Sequence, residues 1–432
     1  MTAEVKDFRL DGIYVQRQEG FFMQRVKLPA GVISAQQARV VASAAERFGR
    51  GTLHLTTRGS IEIHWLREEN LPALKTKLAA VGLTSRGACG GAVRGITCGS
   101  SQDSGDFPEI EVLARRLQRH FAGNPRFERL PKKFKIGIEA TAAGGRHLIQ
   151  DVGLVRSSGA DGRPAYDVWV AGGLGREPRP GFLLEKSVVA ERVIPLIEAI
   201  LRVYAADTPP GKRLKHLLIT IGEEEFRRRL AADPASQEEL PPYKGFPETQ
   251  LAGHTTAGRV TACFFGGSLT SAQLSQLADF ADNRADGVLM VSSNQDIIFP
   301  LSEGEDCDAA RVELEKSGFI ADATGQATCR VCPGTHECRA GLAPTREVAA
   351  AIIGAMGPQA RKLTWAVSGC HNACTQPQLA DYGIVTARLQ RGDGEERTPI
   401  FDLYHSTGAG LGEKIESGLE LADLLTAVKR LG

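Results

Sequence analysis

The 432-residue chain contains no run of 18 apolar residues, so no membrane-spanning helix is predicted. Its first residues, Met-Thr-Ala-Glu-Val-Lys-Asp-Phe, lack the apolar core of a signal sequence, and a cytoplasmic location is expected. Net charge is scarce: 52 basic against 51 acidic side chains leave +1. That removes the bulk electrostatic case for a nucleic-acid or membrane partner. Nucleotide and flavin fingerprints are also missing. The glycine-rich Gly172-Gly173-Leu174-Gly175 has neither the Lys-Ser/Thr of a P-loop nor GxGxxG spacing. It reads instead as close backbone approach near a cofactor, and any redox chemistry has to draw electrons from another protein. What remains is ordinary globular composition, 42% hydrophobic and 24% charged, in a chain too long for one core. Two or three domains follow.

The nine cysteines are an odd number and they cluster, which fits metal ligation in a reducing compartment better than disulfides. Four lie within 43 residues, as Cys332-Pro-Gly-Thr-His-Glu-Cys338 and Cys370-His-Asn-Ala-Cys374. Two loops delivering two thiolates each suit a tetrahedral metal ion or an iron–sulfur cluster. A structural zinc site usually has tighter Cys-x-x-Cys knuckles, so the cluster is favoured. Cys329 is the competing ligand at the first position, and Cys332 is preferred. The remaining cysteines and the histidines 64, 147, 336, 371 and 405 are read as structural.

The chain also repeats itself. Phe21–Val26 reads as a strand and Ser34-Ala-Gln-Gln37 as a capping box opening a helix. Gly51–Arg58 reads as a strand of period two, and a further helix ends at Gly82. Val260–Phe265, Thr270-Ser-Ala-Gln273, Gly287–Asn294 and a helix ending at Gly318 repeat that order. Arg58 to Gly82 and Asn294 to Gly318 both span 24 positions. Farther on, Lys133–Ile138 matches Leu363–Val367, Asp151-Val-Gly-Leu-Val155 matches Asp381-Tyr-Gly-Ile-Val385, and Tyr166–Gly173 matches Phe401–Gly408. A fixed large offset means two equivalent units. The expected fold is α+β and tandem-duplicated, with pseudo-two-fold symmetry. Two ferredoxin-like half-domains (1–95 and 241–322) each precede a larger α/β domain (96–240 and 323–432). Pro209-Pro210 breaks the chain between halves, 231–245 reads as a linker, and a basic cluster such as Lys212–Lys215 is usually a solvated face, so no site is assigned to it.

Chemistry is expected where the copies differ. The second half carries the four cysteines. At corresponding places the first half carries Arg58, Arg94, Lys133 and Lys135. In a strand, residues i and i+2 share a side, so Lys133 and Lys135 project together, away from Phe134. Two guanidiniums and two amines around one pocket suit a small oxyanion, and such donors can also deliver protons.

Cys-x5-Cys, then Ser368-Gly-Cys-His-Asn-Ala-Cys374, then Asp381-Tyr-Gly-Ile-Val385, together with the duplication, resembles the sirohaem-containing sulfite and nitrite reductases over essentially residues 10–430. The resemblance implies a 4Fe-4S cluster on Cys332, Cys338, Cys370 and Cys374, with Cys374 also bridging to the sirohaem iron. It implies Arg58, Arg94, Lys133 and Lys135 as the residues that hold and protonate the anion. Sirohaem is a polyanion, and Arg17, Arg25, Arg86, Lys132, Asn294 and Gln295 are candidate donors to its carboxylates; Asn294-Gln295 matches a family motif. Lys135 stands where the ferredoxin-dependent nitrite reductases typically have Asn. Six-electron reduction of sulfite to sulfide is therefore expected, with ferredoxin or a flavoprotein as donor. Reduction of nitrite to ammonia is the alternative; others are an oxygen-dependent tetrapyrrole hydroxylase of cobalamin biosynthesis and a haem-free electron carrier. The sequence departs from the family at His371 and Ala373, usually Pro and Gly or Ser, and at Ser406-Thr407, often Gly-Gly.

Overall fold

The computed structural model describes residues 8–99, 104–159, 162–241, 258–322, 327–391, 397–408 and 410–431. The first seven residues, and the end of the expected linker at 242–245, lie outside them. No helix among the described residues is long and apolar enough to cross a membrane.

Four sheets carry the fold. The first runs Ile13–Val15, Phe22–Val26, Ile61–Leu66, Thr52–Leu55 and Ser268–Thr270. The second runs Ile320–Ala321, Arg259–Cys263, Ile297–Pro300, Val288–Val291 and Val32–Ser34. Each ends on a strand borrowed from the other half. Leu269 pairs with Leu53, and Ile33 with Leu289, both antiparallel. The expected capping boxes form at the two helices that follow the borrowed strands. Ser34 caps Ala35–Phe48 with Gln37, and Thr270 caps Ser271–Arg284 with Gln273. The two sheets bury one continuous core, in which Val41, Leu53 and Ile61 of the first half meet Leu274, Leu289 and Phe299 of the second. The ferredoxin-like units are thus interlocked rather than merely adjacent.

The other two sheets are larger and repeat one plan. Ile136–Glu139 lies parallel to Val152–Ser158, which is antiparallel to Pro164–Val170 and then Phe182–Val189. Thr364–Ser368 lies parallel to Tyr382–Arg391, which is antiparallel to Arg397–His405 and then Glu413–Leu419; Thr328–Val331 is added outside. The duplication reaches single atoms. Asp151 Oδ2 accepts from the Lys135 amide at 2.8 Å, and Asp381 Oδ2 from the Thr364 amide at 2.7 Å. A Cβ on Gly153 would lie 2.3 Å from the His147 carbonyl oxygen, and one on Gly383 would lie 2.1 Å from that of Pro377. The same crossing excludes a side chain in both halves.

Three expectations are corrected. The strand placed at Lys133–Ile138 begins at Ile136, and Phe134 makes only an isolated bridge to Val93. The strand ending at Arg58 stops at Leu55, because Thr56 Oγ1 accepts from the amides of Arg58 and Ser60 and closes a turn with Gly59 at φ 60°. Arg58 is therefore a turn residue. The basic cluster Lys212–Lys215 is a solvated face only at Lys212. Arg213 and Lys215 are 4% and 3% exposed, within or beside a helix running Leu214–Ala231.

The interlock makes a prediction. A chain cut within 242–257 is expected to yield halves that show no cooperative thermal transition alone and recover one when co-expressed. Circular dichroism melting checks it, and a cooperative melt of either isolated half contradicts it. In the cluster-side sheet, Trp365 is fully buried, stacks on Tyr382 at 4.9 Å and donates Nε1–H to the Ala360 carbonyl at 2.9 Å. Trp365→Ala is expected to cost about 3–5 kcal/mol.

Candidate active site: four thiols facing a group of buried cations

Cys332 follows the strand Thr328–Val331 directly, and its Sγ accepts from the Gly369 amide at 3.2 Å. Thr345 Oγ1 donates to the Cys332 carbonyl at 2.5 Å. Burial pushes the Cys332, Cys338 and Cys370 thiols up, Cys338 to about 11, and the charge of Cys374 adds to the rise in each. The four sulfurs therefore share one electrostatic neighbourhood. Cys329 is outside it: burial raises its thiol to about 12, and the only charge it feels is Arg330. Cys332, and not Cys329, shares that neighbourhood.

Spacing then separates the two metal readings. No three of the four sulfurs lie mutually within 4.8 Å. A single tetrahedral ion with metal–sulfur bonds of about 2.3 Å would draw its ligands closer than that. Four thiols spaced more widely than that fit a polynuclear cluster.

The loop bearing Cys374 is clamped from both halves. Thr57 Oγ1 donates to the Cys374 carbonyl at 2.7 Å, and Gln376 Nε2 returns a bond to the Thr57 carbonyl at 3.2 Å. Arg146 Nη1 reaches Gln376 Oε1 at 2.7 Å. Arg330, 2% exposed, donates to the carbonyls of Thr375 and Gln376 at 2.9 and 3.2 Å. Ala373 and Gln376 both sit at positive φ, 51° and 58°, which costs a non-glycine residue roughly 1–2 kcal/mol. Ala373 thus carries strain where a glycine would not. On the opposite side, Gln18 donates to the His336 carbonyl and Arg17 to that of Gly341, so the first half also braces the Cys338 loop.

Opposite Cys374 stand the cations. The segment through Arg94 runs beside that of the lysines: the Arg94 amide donates to the Phe134 carbonyl at 2.8 Å, and the Phe134 amide to that of Ala92 at 3.1 Å. Val93 and Phe134 are buried in the core, so the flanking Arg94, Lys133 and Lys135 turn to the other side. Arg58 donates to Gln150 Oε1 at 3.2 Å and to the Gly95 carbonyl at 2.8 Å. Burial comes first in lowering all four, and they also act on one another. Arg58 falls to about 9, helped by Arg94 and Arg25. Lys133 falls to about 8, with Cys374 opposing the fall and Arg213 and Arg94 adding to it. Lys135 is lowered by burial and then by Arg58 and Lys133. Arg94 is lowered too, and hydrogen-bonds the Gly87 carbonyl at 3.2 Å. The structure therefore brings the four predicted anion-binding residues together, with Lys133 and Lys135 within electrostatic reach of Cys374. The residues fit both groups the resemblance implies: four thiols for a cluster, and cations held by carbonyls and amides, their charge left over for a polyanion.

The predicted donors to the tetrapyrrole divide. Arg25 borders the pocket, within electrostatic reach of Arg58 and Arg94, but its guanidinium is engaged by Glu62, Nε at 3.0 Å. Asn294 accepts a long bond of 3.4 Å from Arg330 Nη1. Gln295 is corrected: it is 1% exposed and offers the pocket nothing. Its Nε2 donates to the carbonyls of Leu55 and Val331, both at 2.9 Å, and its Oε1 accepts from the Val331 amide at 2.7 Å. Arg86 is paired with Glu128 and Asp11. Gly173 approaches a side chain of its own half, since a Cβ there would lie 2.4 Å from Arg213 Nη1. Arg213 in turn pairs with Asp151 at 2.8 Å.

Sequence reasoning missed Lys27. It is 2% exposed, donates to the Arg86 carbonyl at 3.2 Å, and is pulled down to about 7 by burial, then by Arg94 and Arg58. The signal was available. Arg25 and Lys27 alternate at the end of the strand Phe22–Val26 as Lys133 and Lys135 do before theirs.

These lysines give the cofactor-free protein a pH signature. A lysine whose folded value lies below its ordinary 10.5 binds fewer protons folded than unfolded in that interval. Stability then rises with pH from about 7 upward. The raised thiols retain protons in the folded state above their ordinary 9.0 and oppose the rise there. Thermal stability is expected to climb between pH 7 and 9. Lys27→Met is expected to raise stability at pH 7 and flatten the climb, which differential scanning fluorimetry across that range checks.

Comparison with known proteins agrees with this geometry. The family model for the nitrite/sulfite reductase ferredoxin-like half domain matches residues 14–81 and again 254–317. That for the nitrite and sulphite reductase 4Fe-4S domain matches residues 106–238, the copy that carries the lysines. Together they take in more than half of the chain, and the cysteine loops lie outside both matches. A protein of Synechococcus elongatus named ferredoxin–nitrite reductase is 29% identical, over 95% of this chain and 86% of its own. One of Mycolicibacterium paratuberculosis named sulfite reductase (ferredoxin) 1 is 25% identical, over 98% and 83%. The solved structure of the Mycobacterium tuberculosis NirA protein shares the fold, with a TM-score of 0.84 at 22% identity over all of this chain and 87% of that one. None of these findings supports the tetrapyrrole hydroxylase. The chain belongs to the nitrite and sulfite reductases, oxidoreductases that work with sirohaem and a 4Fe-4S cluster.

Proposed function

We propose that this enzyme reduces sulfite to sulfide, with ferredoxin or a flavoprotein as the electron donor. The observation that carries the reading is Lys135 beside Lys133: two half-buried amines within electrostatic reach of Cys374, with Arg58 and Arg94 among the cations that act on them. Sulfite is a pyramidal dianion and nitrite a bent monoanion, so an added amine favours the more highly charged substrate. When bound, sirohaem and the cluster supply the site of anion ligation and the electrons. The residues do the rest. Arg58 and Arg94 offer forked donors to the oxygens. Lys133, lowered to about 8, is close to neutral pH and can give up a proton and recover it; Lys135 is lowered in the same way. Each lost oxygen leaves as water, so proton delivery at those oxygens is part of every two-electron stage. Cys332, Cys338, Cys370 and Cys374 hold the cluster, and Thr57 fixes the backbone at Cys374. The donor assignment is supported by the relatives, whose names specify ferredoxin.

Nitrite reduction to ammonia is the second reading. It is favoured by the higher identity, 29% against 25%, to the relative named for nitrite.

Paired steady-state kinetics on sulfite and nitrite, with reduced methyl viologen, tests the choice. The reconstituted enzyme is expected to show the higher kcat/KM for sulfite. Lys135→Asn is expected to lower that value about 10²–10⁴-fold and to lower the value for nitrite less. A wild-type preference for nitrite transfers the assignment to the second reading. Turnover of neither anion by fully loaded enzyme removes both.

A further inference from the structure

Arg25, Glu62 and His54 lie opposite one another on three neighbouring strands, Arg25 against Glu62 and Glu62 against His54. Residues so placed share one face of a sheet. Their side chains make an unbroken chain. Arg25 engages Glu62 Oε1 through Nε, at 3.0 Å, and Nη2. Glu62 Oε2 meets His54 Nδ1 at 3.1 Å. His54 Nε2 meets Gln295 Nε2 at 3.1 Å. Gln295 brackets Val331, the residue before Cys332, through both its carbonyl and its amide. Glu62 and His54 are each 4% exposed and Gln295 1%.

His54, Glu62 and His64 have donor atoms within 4.8 Å of one another, a spacing that a metal ion would accept. The hydrogen bonds assign the atoms otherwise. Gln295 Oε1 is committed to the Val331 amide, and the two hydrogens of its Nε2 face three neighbours, the carbonyls of Leu55 and Val331 and His54 Nε2, so one is shared; an amide nitrogen cannot accept, and His54 Nε2 is therefore the acceptor at that contact. His54 Nδ1 then carries the hydrogen and points it at Glu62, leaving no lone pair for an ion. Burial alone would raise the Glu62 carboxyl; Arg25 and the two imidazoles hold it well below the usual range, as an anion.

We propose that Glu62, backed by His54 and Gln295, is a positioning residue that locks Arg25 at the edge of the cation pocket and ties it to the strand that delivers Cys332. Anion site and cluster loop then shift as one body. Gln295 has no contact with the pocket, yet its loss loosens the anion site. This rests on the reading that the pocket holds the anion.

The experiment is a sulfite titration of the reconstituted holoenzyme followed by the Soret band, for wild type, Glu62→Gln, Gln295→Leu and the double variant. The cluster midpoint potential is measured on each. Both single variants are expected to weaken sulfite binding at least fivefold, and the double variant no further than the weaker-binding single. Both are expected to move the potential in the same direction, although Glu62 lies three links from Val331, the residue before Cys332. Binding within twofold of wild type in both singles, or losses that multiply in the double, overturns the relay. So does an unchanged potential in both. A loaded wild type whose Soret band does not respond to sulfite or nitrite defeats the anion reading instead, and the potentials then decide the relay alone. If Gln295→Leu fails to load its cofactors, His54→Gln takes its place.

Discussion

Uncompensated positive charge, held out of water in front of four thiols, is the constraint from which the rest of this structure follows. Arg58, Arg94, Lys27, Lys133 and Lys135 each lose affinity for the proton through burial first. Desolvating a cation costs several kcal/mol even after relaxation. Elsewhere in this half the cost is met by acids, Asp151 for Arg213 and Glu62 for Arg25. In the pocket the hydrogen bonds go to carbonyl and amide oxygens, Gly95 and Gln150 for Arg58, Gly87 for Arg94 and Arg86 for Lys27, and the carboxylates of Asp151 and Glu128 act on Arg58 and Lys27 without bonding them. Neutral acceptors hold the cations in place without cancelling their field. Such a site is unstable by itself and has to be imposed by a rigid surround. The exchange of strands between the two small sheets supplies one, since neither half can relax without displacing a strand of the other.

The duplication explains how the same frame came to hold opposite charges. Asp151 and Asp381 perform one task, capping the backbone ahead of the parallel strand, and Gly153 and Gly383 are excluded from carrying a side chain by the same crossing. Position by position, Lys135 corresponds to Thr364. Thr364 spends its hydroxyl on Asp381 at 2.8 Å, whereas Lys135 keeps its amine for the pocket and leaves the side of Asp151 to Arg213. One substitution at an equivalent site converts a local cap into a pocket cation. The thiols of the second half sit on loops beyond the same sheet, so the two functions face each other across the pseudo-two-fold relation.

How much of this could be read in the sequence follows from the range of the interactions. Cysteine spacing, capping boxes and the repeat are local or periodic, and they survive translation into structure: Ser34 with Gln37 and Thr270 with Gln273 form as their spacing predicts. The alternation of Lys133 and Lys135 also holds, although the ladder starts only at Ile136. What failed was long-range. Gln295 looked like a cofactor ligand because it follows Asn294 in a motif; its amide is consumed by Leu55, 240 residues away, and by Val331. Arg213 and Lys215 looked solvent-facing in a basic run, and only the fold reveals Asp151 and the carbonyls of the 173–177 loop around them. Lys27 was passed over although it alternates with Arg25, because only the fold brings Arg94 and Arg58 beside it.

Depressed proton affinities in the pocket bear on how the anion and its protons arrive together. A lysine held near 7 or 8 by burial and then by neighbouring cations regains affinity for a proton when an anion enters beside it. At about 4 Å and an effective dielectric of about 20, each such contact is worth about 4 kcal/mol, a few pKa units. On the proposed reading of the site, anion binding takes up protons at Lys27 and Lys133, the groups whose values lie closest to neutrality. The charge that admits the anion is thereby converted into protons stored beside its oxygens. A dianion draws more of them than a monoanion does. The number of cations in the pocket is thus coupled to the substrate it prefers through the protons that must be in place before the first oxygen can leave.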